Sequence, residues 1–217
     1  MKRISFAVIL LLIAGFTVVA QNDSKSKSIL DQVTENAKTF KTVTAAFVFS
    51  MDNDEMGIHE KNEGVLKMKG KKYVVDLPGV GVQIFSDGAT IWNYMTDGNQ
   101  VTISNIDDSE SELMDPANLF SIYEKGFNSK FVSEKTVNGQ PVYIIDLYPG
   151  SDEQDVKKIT VTIDKGTMMV GSAELFSTDG NVYSIDVKKF ETNKNYNDSE
   201  FVFNKTAYPD VEVIDFR

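Results

Sequence analysis

The spacing of apolar residues changes period once, near residue 44. Before that point Leu30, Val33, Ala37 and Phe40 recur at steps of three and four. That spacing predicts an amphipathic helix, with Ser28 as its N-cap. From Thr44 onward the period is two. Phe47, Phe49 and Met51 point one way; Ala46, Val48 and Ser50 point the other. Further strands are predicted over 63–69, 72–77, 82–86, 90–95, 100–103, 128–134, 140–148, 157–164, 168–177, 182–191 and 200–204. The dipeptides Asp87-Gly88, Asp97-Gly98, Asn138-Gly139, Lys165-Gly166 and Asp179-Gly180 lie between strands. They tolerate the positive φ of tight hairpins, so neighbouring strands should run antiparallel.

One stretch interrupts the strands. Asp115-Pro116 supplies an N-cap and a first-turn proline; Leu119, Phe120, Ile122 and Tyr123 follow, and Gly126 stands where a C-cap glycine belongs. A short helix inserted there would pack across the sheet as a lid. The strand order excludes a doubly wound nucleotide fold, and no Gly-rich phosphate loop is present. The class expected is mainly β with helices, α+β, in a single domain.

The first twenty residues read as a targeting segment. Lys2 and Arg3 precede an apolar run from Ile4 to Ala20, and Val18-Val19-Ala20 suits cleavage before Gln21. An uncleaved membrane anchor is the alternative, with seventeen residues at the short edge of a spanning helix. The expected division is 1–20 signal peptide, 21–28 flexible polar lead, and 29–217 a single domain. Removing Lys2 and Arg3 leaves 20 basic residues against 32 acidic ones, a net charge of −12. Such a surface repels nucleic acid and anionic headgroups. The chain has no cysteine, which excludes thiol catalysis, thiolate zinc and iron–sulfur clusters.

Candidate chemistry is sparse. Asp52-Asn53-Asp54-Glu55-Met56-Gly57, with Glu63 at the twelfth place, approaches a calcium loop. Met56 cannot ligate calcium, however, and the flanks read as strands, so a solvated hairpin loop is the expectation. His59 is the single histidine and reads as exposed. Asp107, Asp108, Glu110 and Glu112 read as a solvated loop, with nothing apolar beside them to raise a pKa. Trp92 and Tyr94 share one face of a strand, as do Phe47 and Phe49. Composition alone leaves core and cavity lining both open. Eight methionines suit an adaptable apolar surface.

The order of these segments resembles the periplasmic outer-membrane lipoprotein carriers, the LolA-like family. The resemblance rests on Leu30, Val33 and Phe40; on Ala46-Phe47-Val48-Phe49; and on Glu63-Gly64-Val65-Leu66, similar to the family's G-x-L strand. Ser86-Asp87-Gly88 with Ile91-Trp92-Asn93-Tyr94 is its most distinctive stretch. Phe201-Val202-Phe203 and Pro209-Asp210-Val211-Glu212-Val213 resemble its last strand and tail. The family's fold implies an incomplete antiparallel barrel of about eleven strands with an N-terminal helix and a helical lid over an apolar cavity. On that pattern Phe47, Phe49, Leu66, Tyr73, Trp92 and Tyr94 would line the cavity, and Leu119, Phe120, Ile122 and Tyr123 would form the lid.

The implied function is a non-enzymatic, monomeric periplasmic carrier of lipoprotein acyl chains from inner to outer membrane, with no cofactor or metal. Its partners would be acylated lipoproteins, an inner-membrane lipoprotein-releasing transporter and an outer-membrane receptor, with no nucleic acid. A lipid- or lipoprotein-sensing regulator on the same fold is the alternative. An envelope hydrolase would need a nucleophile and base that the lone His59 does not supply. One departure stands out. The Arg-Pro that follows the family's G-x-L strand, whose arginine helps hold the lid shut, is replaced here by Met68-Lys69-Gly70-Lys71-Lys72. A lysine carries the charge but lacks the guanidinium fork.

Overall fold

A computed structural model describes residues 17–106, 126–151 and 155–217. The chain opens with α1, Thr17–Lys38. Ser26, Ile29, Leu30, Val33 and Thr34 form its buried stripe, at the steps of three and four that a helix requires. The helix begins well before Ser28, so Ser28 is an interior residue and not the N-cap. Its carbonyl accepts from the Gln32 side chain at 3.0 Å. At the far end Thr39 Oγ1 donates to the Asn36 carbonyl, and the turn ends with Phe40.

Six strands follow as a meander: β1 Val43–Asn53, β2 Ile58–Lys69, β3 Lys72–Leu77, β4 Val82–Ser86, β5 Thr90–Met95 and β6 Gln100–Asn105. Five more form a second meander: β7 Phe127–Val137, β8 Gln140–Pro149, β9 Val156–Asp164, β10 Met169–Ser177 and β11 Val182–Thr192. Turns stand at all five dipeptides, but after Asp97-Gly98 and Lys165-Gly166 the positive φ falls on Asn99 and Met168. Asn138 and Gly139 both take positive φ, as a two-residue hairpin turn demands. The two meanders join where β11 pairs with β1.

The result is one sheet of twelve strands, ordered β12-β6-β5-β4-β3-β2-β1-β11-β10-β9-β8-β7. It does not close, since β7 and β12 lie at opposite edges. The twelfth strand, β12 Glu212–Asp215, pairs with β6 and runs parallel to it, so the count exceeds the expected eleven and one pairing departs from the antiparallel rule.

The strand expected over 200–204 is absent. Asp198–Phe201 is a 3-10 turn instead. An Asn197/Glu200 capping pair starts it, with the Asn197 amide donating to Glu200 Oε1 at 2.9 Å. Phe201 and Phe203 alternate like strand residues because both are anchors buried against the sheet. Residues 107–125, which hold the expected lid and the acidic cluster, lie outside the described residues. Among the described residues no helix is long and apolar enough to cross a membrane.

Candidate lipid-binding face

Register assigns every strand residue to one of two faces, because directly paired residues share a side. α1 lies on one face. Ser26 Oγ and Ser129 Oγ on β7 are 2.8 Å apart, and Ile29, Leu30 and Val33 pack on Ile145, Leu147, Ile159 and Val161. This is the helix face. The segment after β11 crosses the opposite side, the tail face.

On the helix face the sheet is filled at two places. Under α1 the side chains of β7–β10 form one core. Val43, Ala45, Leu66, Met68, Tyr73 and Val75 form a second on β1–β3, beside Phe40 and Phe190. Between them, on β1, β11 and β10, the apolar side chains are only half-buried. Phe47 faces Val187, Phe49 faces Ile185, and Ile185 faces Ala173. Phe49 stacks on Tyr183 with ring centroids 6.4 Å apart. Leu77 and Ile84 extend the same apolar field across β3 and β4. The field is wide because Gly64 has no side chain. The Phe47 ring and Leu77 lie where a Cβ would stand.

The six residues expected to line a cavity therefore divide. Phe47 and Phe49 lie in the half-buried field, while Leu66 and Tyr73 are fully buried in the second core beside it. Trp92 and Tyr94 are on the other side of the sheet. Trp92 pairs with Phe85 and Tyr94 with Gln83, which places both on the tail face. There Tyr94, Phe203 and Tyr208 cluster, with centroids 4.4 to 5.4 Å apart, and Val101 and Val211 complete the packing. Burial pushes the Tyr208 hydroxyl pKa up, and that hydroxyl donates to Gln83 Oε1 at 3.0 Å. The strand-internal pairing of Trp92 with Tyr94 holds, but the set does not share one surface. Sequence reasoning missed Ile185, Val187 and Leu175, although their alternation on β10 and β11 carried the signal.

The lysines that stand in place of the Arg-Pro hold the tail. Lys69 and Lys72 reach Asp198 at 2.8 and 2.7 Å, and Lys69 Nζ also donates to the Tyr196 carbonyl. These contacts hold the Asp198 carboxyl down at about 2. A matching tie pins α1. Lys25 and Lys165 both pair with Glu134, at 2.7 and 2.8 Å, and hold its carboxyl at about 2.

Other candidates resolve simply. His59 is exposed, as expected, and its Nδ1 lies 2.9 Å from Asp52 Oδ1, its cross-strand partner. Residues 54–57 are a hairpin turn, and Glu63 sits opposite Val48 well along β2, so the twelve-residue loop geometry is not formed. Among the described residues no group of three His, Asp or Glu side chains could hold a metal. A groove of about 280 Å³ lined by Ala46, Phe47, Val48, Glu63, Gly64, Val65, Asp76, Pro78 and Lys188 lies next to the apolar field and shares Phe47 and Gly64 with it.

Residues 38–204 match the model of the family described as outer membrane lipoprotein carrier protein LolA. The chain belongs to this family. Solved structures with the LolA-like fold of this chain include an uncharacterized conserved protein from Thermus thermophilus, at 14% identity and a TM-score of 0.61, covering 88% of this chain and 99% of that one. A domain described as a putative outer membrane lipoprotein-sorting protein, from Vibrio parahaemolyticus, has 14% identity and a TM-score of 0.50, with 86% and 99% covered. The Mycobacterium tuberculosis lipoprotein LppX has 16% identity and a TM-score of 0.50, with 81% and 100% covered. At these identities the LolA-like likeness is one of fold. No curated protein matches the chain.

Proposed function

We propose that this protein is a lipid carrier. It holds the acyl chains of lipoproteins against the half-buried apolar field of the helix face and moves them between inner and outer membrane. Membership of the LolA family supports lipid or lipoprotein binding. The observation that carries the reading is the field itself: Phe47, Phe49, Ile185 and Val187 remain half-buried between two filled cores.

The physics suits carriage without chemistry. Exposing an acyl chain to water costs about 0.8 kcal/mol per CH₂. Transfer from bilayer to an apolar protein face is close to neutral, so a soluble carrier needs no catalytic group. Processing before Gln21 would deliver the domain to the periplasm and leave most of α1 in place. There a membrane transporter would load it and a receptor would unload it. N-terminal sequencing of periplasmic protein tests the processing. A chain found only at full length, in membranes, would overturn it. Native mass spectrometry of protein purified from its own envelope tests the cargo. Acylated species should co-purify with wild type; a protein recovered free of lipid from a loading-competent envelope would contradict the proposal.

A further inference from the structure

The helix face of β1–β6 has an unusual polarity. Among its described residues no lysine or arginine points to that side. The register puts Lys61, Lys67, Lys69 and Lys72 on the tail face, and the one charged side chain on the helix face is Glu60 at the far end of β2. Yet the apolar field is interrupted before the sheet edge, where Ile214 on β12 pairs with Thr102. The cross-sheet row Leu66, Val75, Ile84 continues into Asn93 on β5 and Thr102 on β6. Ser104 stands two residues further along β6 on the same side. These three side chains are half-buried, and none makes a hydrogen bond with another described residue. The second observation matters as much as the first. The fully buried Asn53 and Asn181 bond each other at 2.7 Å, whereas this half-buried row leaves its polar groups open to a ligand.

We infer that Asn93, Thr102 and Ser104 receive the uncharged polar junction of the ligand: the ester, amide or hydroxyl groups that join acyl chains to a glycerol or peptide. The inference rests on the carrier reading and adds a substrate class to it. The chains lie on the apolar field, and the junction meets the neutral row at its border. A hydroxyl and an amide side chain match esters and amides as both donors and acceptors. A phosphate or free carboxylate finds no cation from strands β1–β6 on this face, and half-burying an unpaired charge is costly. Selection is therefore for neutral acyl-glycerol or acyl-amide cargo over anionic phospholipid with the same chains.

The test uses the full mature protein and displacement of the neutral apolar dye Nile red. Dipalmitoylglycerol should displace the dye at a concentration about tenfold below that of dipalmitoyl phosphatidic acid. The combined Asn93→Leu, Thr102→Val and Ser104→Ala variant should bind the dye as before and need about tenfold more dipalmitoylglycerol to displace it. Equal or tighter binding of phosphatidic acid to wild type would overturn the inference, whether or not the variant folds. So would a folded variant from which dipalmitoylglycerol displaces the dye at the wild-type concentration. Failure of wild type to bind Nile red or either lipid would instead sink the carrier reading itself.

Discussion

The ring of Phe47 occupies the space that a side chain at position 64 would need. The two residues are cross-strand partners on β1 and β2, and Phe47 Cζ lies 2.5 Å from where a Cβ on Gly64 would stand. Leu77 Cδ2 is 2.7 Å from the same point. The glycine is required here for close approach, not for an unusual φ.

Gly64→Ala should therefore destabilise the protein by about 1–3 kcal/mol, as overpacking does. Urea unfolding measures this. In a Phe47→Ala background part of that cost should vanish, because the colliding ring is gone and only Leu77 still meets the new methyl. Equal costs in both backgrounds would mean that the ring is free to move aside.

Phe49→Glu should leave the protein folded, since the side chain is half-buried and not part of either filled core. It places a charge in the middle of the apolar field, where partial burial is unfavourable. Co-purified acylated lipid should fall by about tenfold or more by native mass spectrometry. Circular dichroism checks the fold.

Trp92 is the only tryptophan, so its fluorescence has a single source. On the tail face it reports the packing of the C-terminal segment. Emission should be unmoved by a saturating lipopeptide, and Phe203→Ala should shift it to the red. A ligand-induced shift with Phe203 intact would tie Trp92 to the cargo.

The tail carries a pH dependence. Lys69 and Lys72 lower the Asp198 carboxyl pKa to about 2 in the folded protein. The unfolded chain has the ordinary value, near 4. The pairing contributes fully above that ordinary value and is lost as pH falls through about 2. Asp198→Asn should protect the tail less than wild type in hydrogen exchange at neutral pH, and the difference should close near pH 2. All three groups are solvent-accessible, so salt should shrink the effect.

Much of the fold was legible because hairpin chemistry is local. Asn138-Gly139 and Asp87-Gly88 announce their turns, and alternation marks the strands between them. Face assignment was not legible. Period two says that Trp92 and Tyr94 share a side of β5, but matching that side to the side of Phe47 on β1 depends on every intervening turn. The Trp92 and Tyr94 side of β5 is apolar because Phe203 and Tyr208 return from far along the chain to cover it. For the same reason Phe201 and Phe203 imitated a strand, and the neutral row at Asn93 and Thr102 could not be seen until register aligned it with Ile84.

The position of β1 has a further consequence for how the chain reaches its native state. It sits in the interior of the sheet, hydrogen-bonded on one side to β2 and on the other to β11, where Val43 meets Thr192. A polypeptide emerging from its N-terminus can assemble β1–β6 as successive hairpins. The second edge of β1 must then wait, unpaired and rich in Phe and Val, until the last fifth of the molecule arrives. Exposed apolar edges are templates for mispairing, and distant closures are slow. Folding is thus gated by β11, and truncation after β10 should yield an aggregating product, with no smaller folded unit formed.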